Sequence, residues 1–242
     1  MRQHGANRDF GGCAISCDQL TDRRWLEWDE FEAGRAEGQH LVRCYFEPVR
    51  RIVVSEFISV DGVMEDPGGS ENTVRGGWVF QFNRGDDGDK FKLDELTSAE
   101  ALLLGRKTYE GFAEAWPSRT DDVGFAEKMN SMPKYVVSHT LRDPSWNNTT
   151  VIGGDVLSEL ARLKKEDGGD LLVNGSCQLV HALVENNLVD ELRLMVFPIV
   201  LGMGKRLFSD SPHAWPFRLI EAIAVGPDGV LVVRYEPKPA PG

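Results

Sequence analysis

The 242-residue sequence predicts an α/β protein: a mostly parallel central sheet with helices on both faces and a C-terminal antiparallel hairpin. Three observations carry this. Short runs dense in β-branched and aliphatic residues alternate with stretches whose apolar residues fall at helical spacing. One run, Leu192 to Val200, shows almost no apolar–polar alternation, as a strand covered on both faces should. The last two runs, Phe217 to Val225 and Val230 to Tyr235, flank Pro227-Asp228-Gly229, a hairpin signal.

The elements follow in order. Ile52, Val53, Val54, Phe57 and Ile58 make a buried first strand. A polar, Gly-rich stretch from Asp61 to about Asp89 reads as a long loop, and a loop of that length inside a domain is usually functional. Lys90 to Ser98 forms a short helix, Ala101 to Leu104 a buried strand, and Gly105-Arg106-Lys107-Thr108 opens a second helix. Lys134 to Ser138 and Thr150 to Ile152 are strands. Val156, Leu157, Leu160, Ala161 and Leu163 sit at helical spacing. Leu171 to Val173 is a strand, and Asn174-Gly175-Ser176 opens a helix through Leu179, Val180, Leu183 and Val184.

Composition excludes several classes. Hydrophobic residues at 41% and charged residues at 27% belong to a globular chain, not a fibrous or disordered one. The longest stretch free of Asp, Glu, Lys and Arg, Leu171 to Val184, has 14 residues, short of the roughly 18 that span a bilayer. A net charge of −11 with no basic run argues against nucleic-acid and anionic-membrane partners. Four cysteines and no apolar leader predict a cytoplasmic, reduced protein.

Residues 1–48 read differently. They carry six basic and nine acidic residues, lack a β-branched run, and hold Gly34 and Gly38 beyond their one amphipathic turn. They are expected to be a poorly ordered, dispensable extension, with the folded domain covering 49–242. Cys13, Cys17, His40 and Cys44 have zinc-compatible spacing, but the turn glycines and aromatic core of small zinc modules are missing around them, so no metal site is expected.

In sheets of this kind, ligands bind at the carboxyl ends of the strands. Two strand-to-helix junctions stand out there. Gly105-Arg106-Lys107-Thr108 combines a glycine, helix N-terminal amides, two cations and a hydroxyl, all suited to phosphate. Asn174-Gly175-Ser176 presents amides and a hydroxyl again. Two such junctions suit a dinucleotide, while Thr108 and Ser176 could each also cap its own helix. Gly202-Met203-Gly204 is no Rossmann fingerprint, because Leu207 stands where the third glycine belongs.

These segments carry a resemblance. Gly105-Arg106-Lys107-Thr108-Tyr109, Tyr135-Val136-Val137-Ser138 and Asn174-Gly175-Ser176 occur in an order similar to that of the dihydrofolate reductase-like superfamily. Ser59-Val60-Asp61-Gly62-Val63-Met64-Glu65, Asp190 to Leu194 and Phe197 to Phe208 resemble the reductase domain of the bifunctional riboflavin-biosynthesis deaminase–reductase. The resemblance covers about residues 49–237 and implies a three-layer fold and an NADPH-dependent reductase acting on a pyrimidine- or pterin-like molecule. Its most specific form is 5-amino-6-(5-phosphoribosylamino)uracil reduction. Alternatives are dihydrofolate reductase activity or a non-catalytic NADPH-binding protein.

The same resemblance implies site roles and a homodimer. Arg106 and Ser138 would lie near the cofactor's 2′-phosphate, and Thr108 with Asn174, Gly175 and Ser176 near its pyrophosphate, beside Gly105. Ser59 and Asp61 would border the nicotinamide, Asp61 as a catalytic candidate, and Trp116 would face the substrate. Lys205 and Arg206 are candidates for a substrate phosphate. The deaminase half has no counterpart here, since no His-x-Glu with Pro-Cys-x-x-Cys occurs. The helix carboxylate that grips a pterin in dihydrofolate reductases would have to be Asp87, Asp89 or Asp94, none in clear register. A rival reading is a hydrolase with Ser176 or Cys177 as nucleophile and His181 as base.

Overall fold

Strand β1 (Ile52–Ser59) lies near the centre of an eight-stranded sheet and pairs in parallel with β5 (Leu171–Val173) on one side and β6 (Glu191–Phe197) on the other. The computed structural model describes residues 50–238. The remaining strands are β2 (Ala101–Gly105), β3 (Lys134–Val137), β4 (Thr149–Ile152), β7 (Phe217–Val225) and β8 (Val230–Pro237), in spatial order β4-β3-β2-β5-β1-β6-β8-β7. The first six in that order are parallel, and β8 runs antiparallel between β6 and β7. This is the mostly parallel sheet with a terminal hairpin that the sequence predicts. The expected extension, its boundary near residue 49 and the cysteine–histidine spacing fall outside the described residues.

Helices α1 (Gly85–Ser98), α2 (Arg106–Ala115) and α3 (Phe125–Ser131) cover one face. There Leu96, Tyr109 and Met129 pack on Val53, Leu102, Leu104, Val136 and Leu172. Helices α4 (Val156–Leu163) and α5 (Cys177–Glu185) cover the other, with Leu160, Leu163, Leu179, Val180 and Leu183 against Ile52, Val54, Leu103, Leu171 and Val173. Alternate residues of β1 and β2 thus serve opposite layers, and Ile52-Val53-Val54 and Ala101 to Leu104 read as unbroken apolar runs. A third cluster joins Trp78, Phe197, Val225, Val230 and Val232 beside the hairpin.

The register creates the site. β1 pairs with β5 only as far as Val54↔Val173, but stays with β6 to Ser59↔Phe197. Beyond Val54 the sheet therefore opens between β1 and the end of β5. The chain leaves β1 over one face through α1 and leaves β5 over the other through α5. A crevice where the connections part in this way is where open α/β sheets bind ligands.

The structure departs from the sequence reading in three places. Helix α1 begins at Gly85 rather than Lys90, because its first turn is polar and carries no apolar period. β6 ends at Phe197, where Pro198 cannot continue the ladder. α3 was missed. It starts after Asp121, whose carboxylate accepts the amides of Val123, Phe125 and Ala126. The long loop is built around the buried Asp66, whose carboxylate accepts the amides of Glu71 and Thr73 and the Thr73 hydroxyl, while Trp78 Nε1 bonds the carbonyl of Glu65.

Candidate active site

The two predicted junctions are bonded to each other. The amide of Gly105 donates to Ser176 Oγ at 2.8 Å, and the amide of Ser176 donates to Thr108 Oγ1 at 2.9 Å. Asn174 Nδ2 donates to the Ser55 carbonyl at 2.9 Å, and the Gly175 amide to Glu56 Oε2 at 3.0 Å. Gly175 has φ +61° and a β-carbon there would lie 3.0 Å from Thr108 Cγ2, so the turn approaches α2 this closely only as glycine. Gly105, Thr108, Asn174, Gly175 and Ser176 therefore form one constellation with β1.

The locking changes which groups are open to a ligand. Neither hydroxyl caps its own helix; each bonds the other junction. The amides of Gly105, Gly175 and Ser176 are taken. Helices α2 and α5 both start without a side-chain cap, so their first-turn amides are the donors left for an anion.

Arg106 and Ser138 follow the paired residues Gly105 and Val137 on adjacent strands, and so share the rim of the sheet. The Arg106 guanidinium is half-exposed and bonds both carboxylate oxygens of Glu110, at 2.9 and 3.0 Å. Ser138 is buried, and its hydroxyl accepts the amides of Thr140 and Leu141.

Ser59 is fully buried; its hydroxyl donates to Asp61 Oδ1 at 2.7 Å and accepts the Val63 amide. The Asp61 carboxylate also accepts the amides of Leu201 at 3.0 Å and Gly202 at 2.8 Å. The Ser59 hydroxyl first, and then these amides, hold its pKa at about 2. A carboxyl held that low has no proton to give near neutrality. Asp61 ties the loop after β1 to the loop after β6.

Trp116 is not brought to the crevice. It follows the C-terminus of the ten-residue α2, about 15 Å of helix from the junction, where its carbonyl accepts Asn130 Nδ2 at 3.0 Å. There it stacks on Phe125 with ring centroids 5.4 Å apart and receives the Arg119 guanidinium at 4.7 Å. The whole length of α2 thus separates Trp116, expected to face the substrate, from the junction residues.

Sequence reasoning missed the polar layer beneath α1. Glu95 is buried, both its oxygens accept the Ser55 hydroxyl at 2.8 Å, and it pairs with Lys92. Lys92 Nζ donates to Ser55 Oγ at 2.9 Å and lies 4.9 Å from the centroid of Phe57. Of the carboxylates on α1, Glu95 faces the sheet, whereas Asp87 and Asp94 are exposed and Asp89 pairs with Arg84. The available signal was Lys92, Glu95, Leu96 and Ala99, which put two charges on the inward stripe of a helix.

Lys205 and Arg206 are already engaged. Lys205 pairs with Glu65 at 2.5 Å and Glu71 at 3.5 Å, and Arg206 bonds the Asp61 carbonyl and approaches its carboxylate at 3.7 Å. The hydrolase reading finds no activated nucleophile. Cys177 Sγ and His181 Nε2 are 3.5 Å apart, but both also bond the Arg206 carbonyl, and burial pushes the thiol up rather than down. The Ser176 hydroxyl is held by the Gly105 amide and the Asn174 carbonyl. A cavity of about 240 Å³ opens elsewhere, beside α2, where Glu110, Glu114 and Asp143 make it unsuited to phosphate. Among the described residues no cluster of metal ligands occurs, and no helix is long and apolar enough to cross a membrane.

The sequence profile of the RibD C-terminal domain matches residues 50–231. The chain belongs to the RibD C-terminal domain family. Its relatives include YyaP of Bacillus subtilis (strain 168), 30% identical over 189 residues and aligned over 77% of this chain and 94% of YyaP. YwjB of the same strain is 26% identical over 170 residues, 70% of this chain and 89% of YwjB. Among solved structures, a protein assigned to riboflavin biosynthesis from Shewanella sp. PV-4 superposes with a TM-score of 0.62 at 20% identity, over 78% of this chain and 99% of that one. RibD from Acinetobacter baumannii superposes at 0.52 with 16% identity, over 79% of this chain and 58% of RibD. These likenesses establish the shared fold of this RibD C-terminal-type domain.

Proposed function

We propose that this chain is an NADPH-dependent reductase that delivers a hydride to a pyrimidine- or pterin-like small molecule. The observation that carries the reading is the mutual locking of the Gly105–Thr108 and Asn174–Ser176 junctions at a crevice in the sheet of a RibD C-terminal-type domain. The residues fit the cofactor. Uncapped starts of α2 and α5 offer amides to the pyrophosphate. Arg106, half-exposed beside Ser138, can exchange Glu110 for a 2′-phosphate. Bound there, the dihydronicotinamide supplies the hydride. The chain's own work is to orient the two rings and exclude water.

Lys92, Glu95 and Ser55 form the polar group proposed to meet the substrate on the α1 side of β1. Lys92 offers a donor and Glu95 an acceptor, the pair that the amide edge of a pyrimidinone or pterin requires. A phosphoribosyl substrate needs more, since Lys205 and Arg206 would first have to leave Glu65, Glu71 and Asp61. The test is oxidation of NADPH, followed by absorbance, with the phosphoribosylaminouracil, its unphosphorylated analogue and dihydrofolate supplied in turn. Cofactor binding without turnover of any of them identifies a non-catalytic binding protein.

A further inference from the structure

Glu56 lies at the mouth of the crevice, two residues beyond the last β1–β5 pair, and is only 5% exposed. Its Oε2 accepts the Gly175 amide at 3.0 Å, while Oε1 is buried with no hydrogen-bond partner. A buried polar atom left unpaired costs free energy comparable to a lost hydrogen bond, and a native fold keeps one where something else completes it. Among the described residues, the only other side-chain atom in this state is Nε of Arg50, whose guanidinium is otherwise engaged by Glu100 and Tyr135.

The chemistry of the missing partner follows from the bonds already made. Burial drives the Glu56 carboxyl toward its neutral form, against the Gly175 amide and the nearby Lys92, with Glu95 adding to the effect of burial. In the neutral form that burial favours, Oε2 receives an N–H, so the acid proton resides on Oε1. The unpaired atom is therefore a hydroxyl donor, and it calls for an uncharged acceptor. The same turn, Asn174-Gly175-Ser176, is the one proposed to hold the dinucleotide, so the ligand group that reaches Glu56 belongs to the cofactor.

We infer that Glu56 donates a hydrogen bond through Oε1 to the carboxamide oxygen of the nicotinamide ring, fixing that ring in the crevice between β1 and β5. This rests on the NADPH reading above and adds a residue to it. Glu56 is then a cofactor contact and not a proton donor in the reaction.

The experiment is equilibrium binding of NADPH, its thionicotinamide analogue and 2′,5′-ADP to the full chain and to Glu56→Gln and Glu56→Leu. Sulfur is a poor acceptor and 2′,5′-ADP lacks the ring, so each probe isolates one part of the contact. Glu56→Leu should bind NADPH about tenfold more weakly, the loss of roughly one hydrogen bond, with 2′,5′-ADP unchanged. It should also no longer prefer NADPH to the thio analogue, whereas the wild-type chain and Glu56→Gln, which keeps a donor, should. Equal losses for NADPH and 2′,5′-ADP would assign Glu56 only to holding the turn and overturn the inference, as would an unchanged NADPH affinity. If Glu56→Leu fails to fold, the wild type and Glu56→Gln decide, and indifference of either to the sulfur overturns it. A wild-type chain that binds 2′,5′-ADP without these effects loses only this inference. One that binds neither NADPH nor 2′,5′-ADP loses the cofactor reading as well.

Discussion

The backbone amide of Ser176 donates to the hydroxyl of Thr108 across two strand-to-helix junctions 68 residues apart in sequence. Replacing Thr108 with valine keeps the shape and removes the acceptor, leaving a part-buried N–H unpaired. A loss of about 1–3 kcal/mol in unfolding free energy is expected, with weaker NADPH binding. Thr108→Ser, which restores the acceptor, should recover most of both. Urea denaturation of the three chains checks this.

Arg106→Ala should weaken NADPH more than NADH, because only the former carries the phosphate that a guanidinium holds bidentately. Its effect on stability should be small. The pair lost is an exposed i,i+4 bridge to Glu110, worth about 0.3–0.5 kcal/mol. Equal weakening of both cofactors would remove Arg106 from the phosphate site.

Acid should act through Asp61 and Glu191. Burial alone would raise the Glu191 carboxyl, but its bonds to Arg193 and Arg234 prevail and bring it to about 2, and Asp61 is also held at about 2. Both lie below their ordinary values of 4.5 and 3.8. Their contribution to stability is therefore complete above those values and disappears as pH falls toward about 2. Thermal unfolding followed from pH 5 to pH 2 should show a falling midpoint. Asp61→Asn should flatten part of that slope, and a slope unchanged in this variant would count against the assignment.

Gly76→Ala should disrupt the loop between β1 and α1. A β-carbon would lie 2.1 Å from Asp66 Oδ2, and that oxygen is fixed by the amide and hydroxyl of Thr73. Relief requires moving a buried, bonded carboxylate, at a cost of roughly 1–3 kcal/mol. Limited proteolysis within residues 66–77 should accelerate in the variant while the sheet stays protected.

The terminal hairpin leaves Leu219 at 51% and Leu231 at 45% exposure on the face it shares with Val233 and Tyr235. We propose that a second copy of the chain covers this face. Sedimentation should give a dimer at micromolar concentration, and Leu219→Glu should shift it toward a 27.0 kDa monomer. A wild-type monomer at that concentration removes the proposal.

Sequence alone determined the layers and the two junctions, because both are written in local patterns. Runs such as Ile52-Val53-Val54 and Leu102-Leu103-Leu104 must be covered on both faces, and glycine followed by hydroxyl residues marks a helix start whatever surrounds it. What only the tertiary structure decided are relations between distant residues. Thr108 and Ser176 could each have capped its own helix. The parallel placement of β2 and β5 instead set each against the other's backbone. Trp116 stood near the junction in sequence, but the length of α2 set it a whole helix away from Gly105. Glu56 and Glu95 carry no local signal in the sequence that marks them as buried. They are buried because β1 is central and α1 lies across it, a fact of packing that no local spacing encodes.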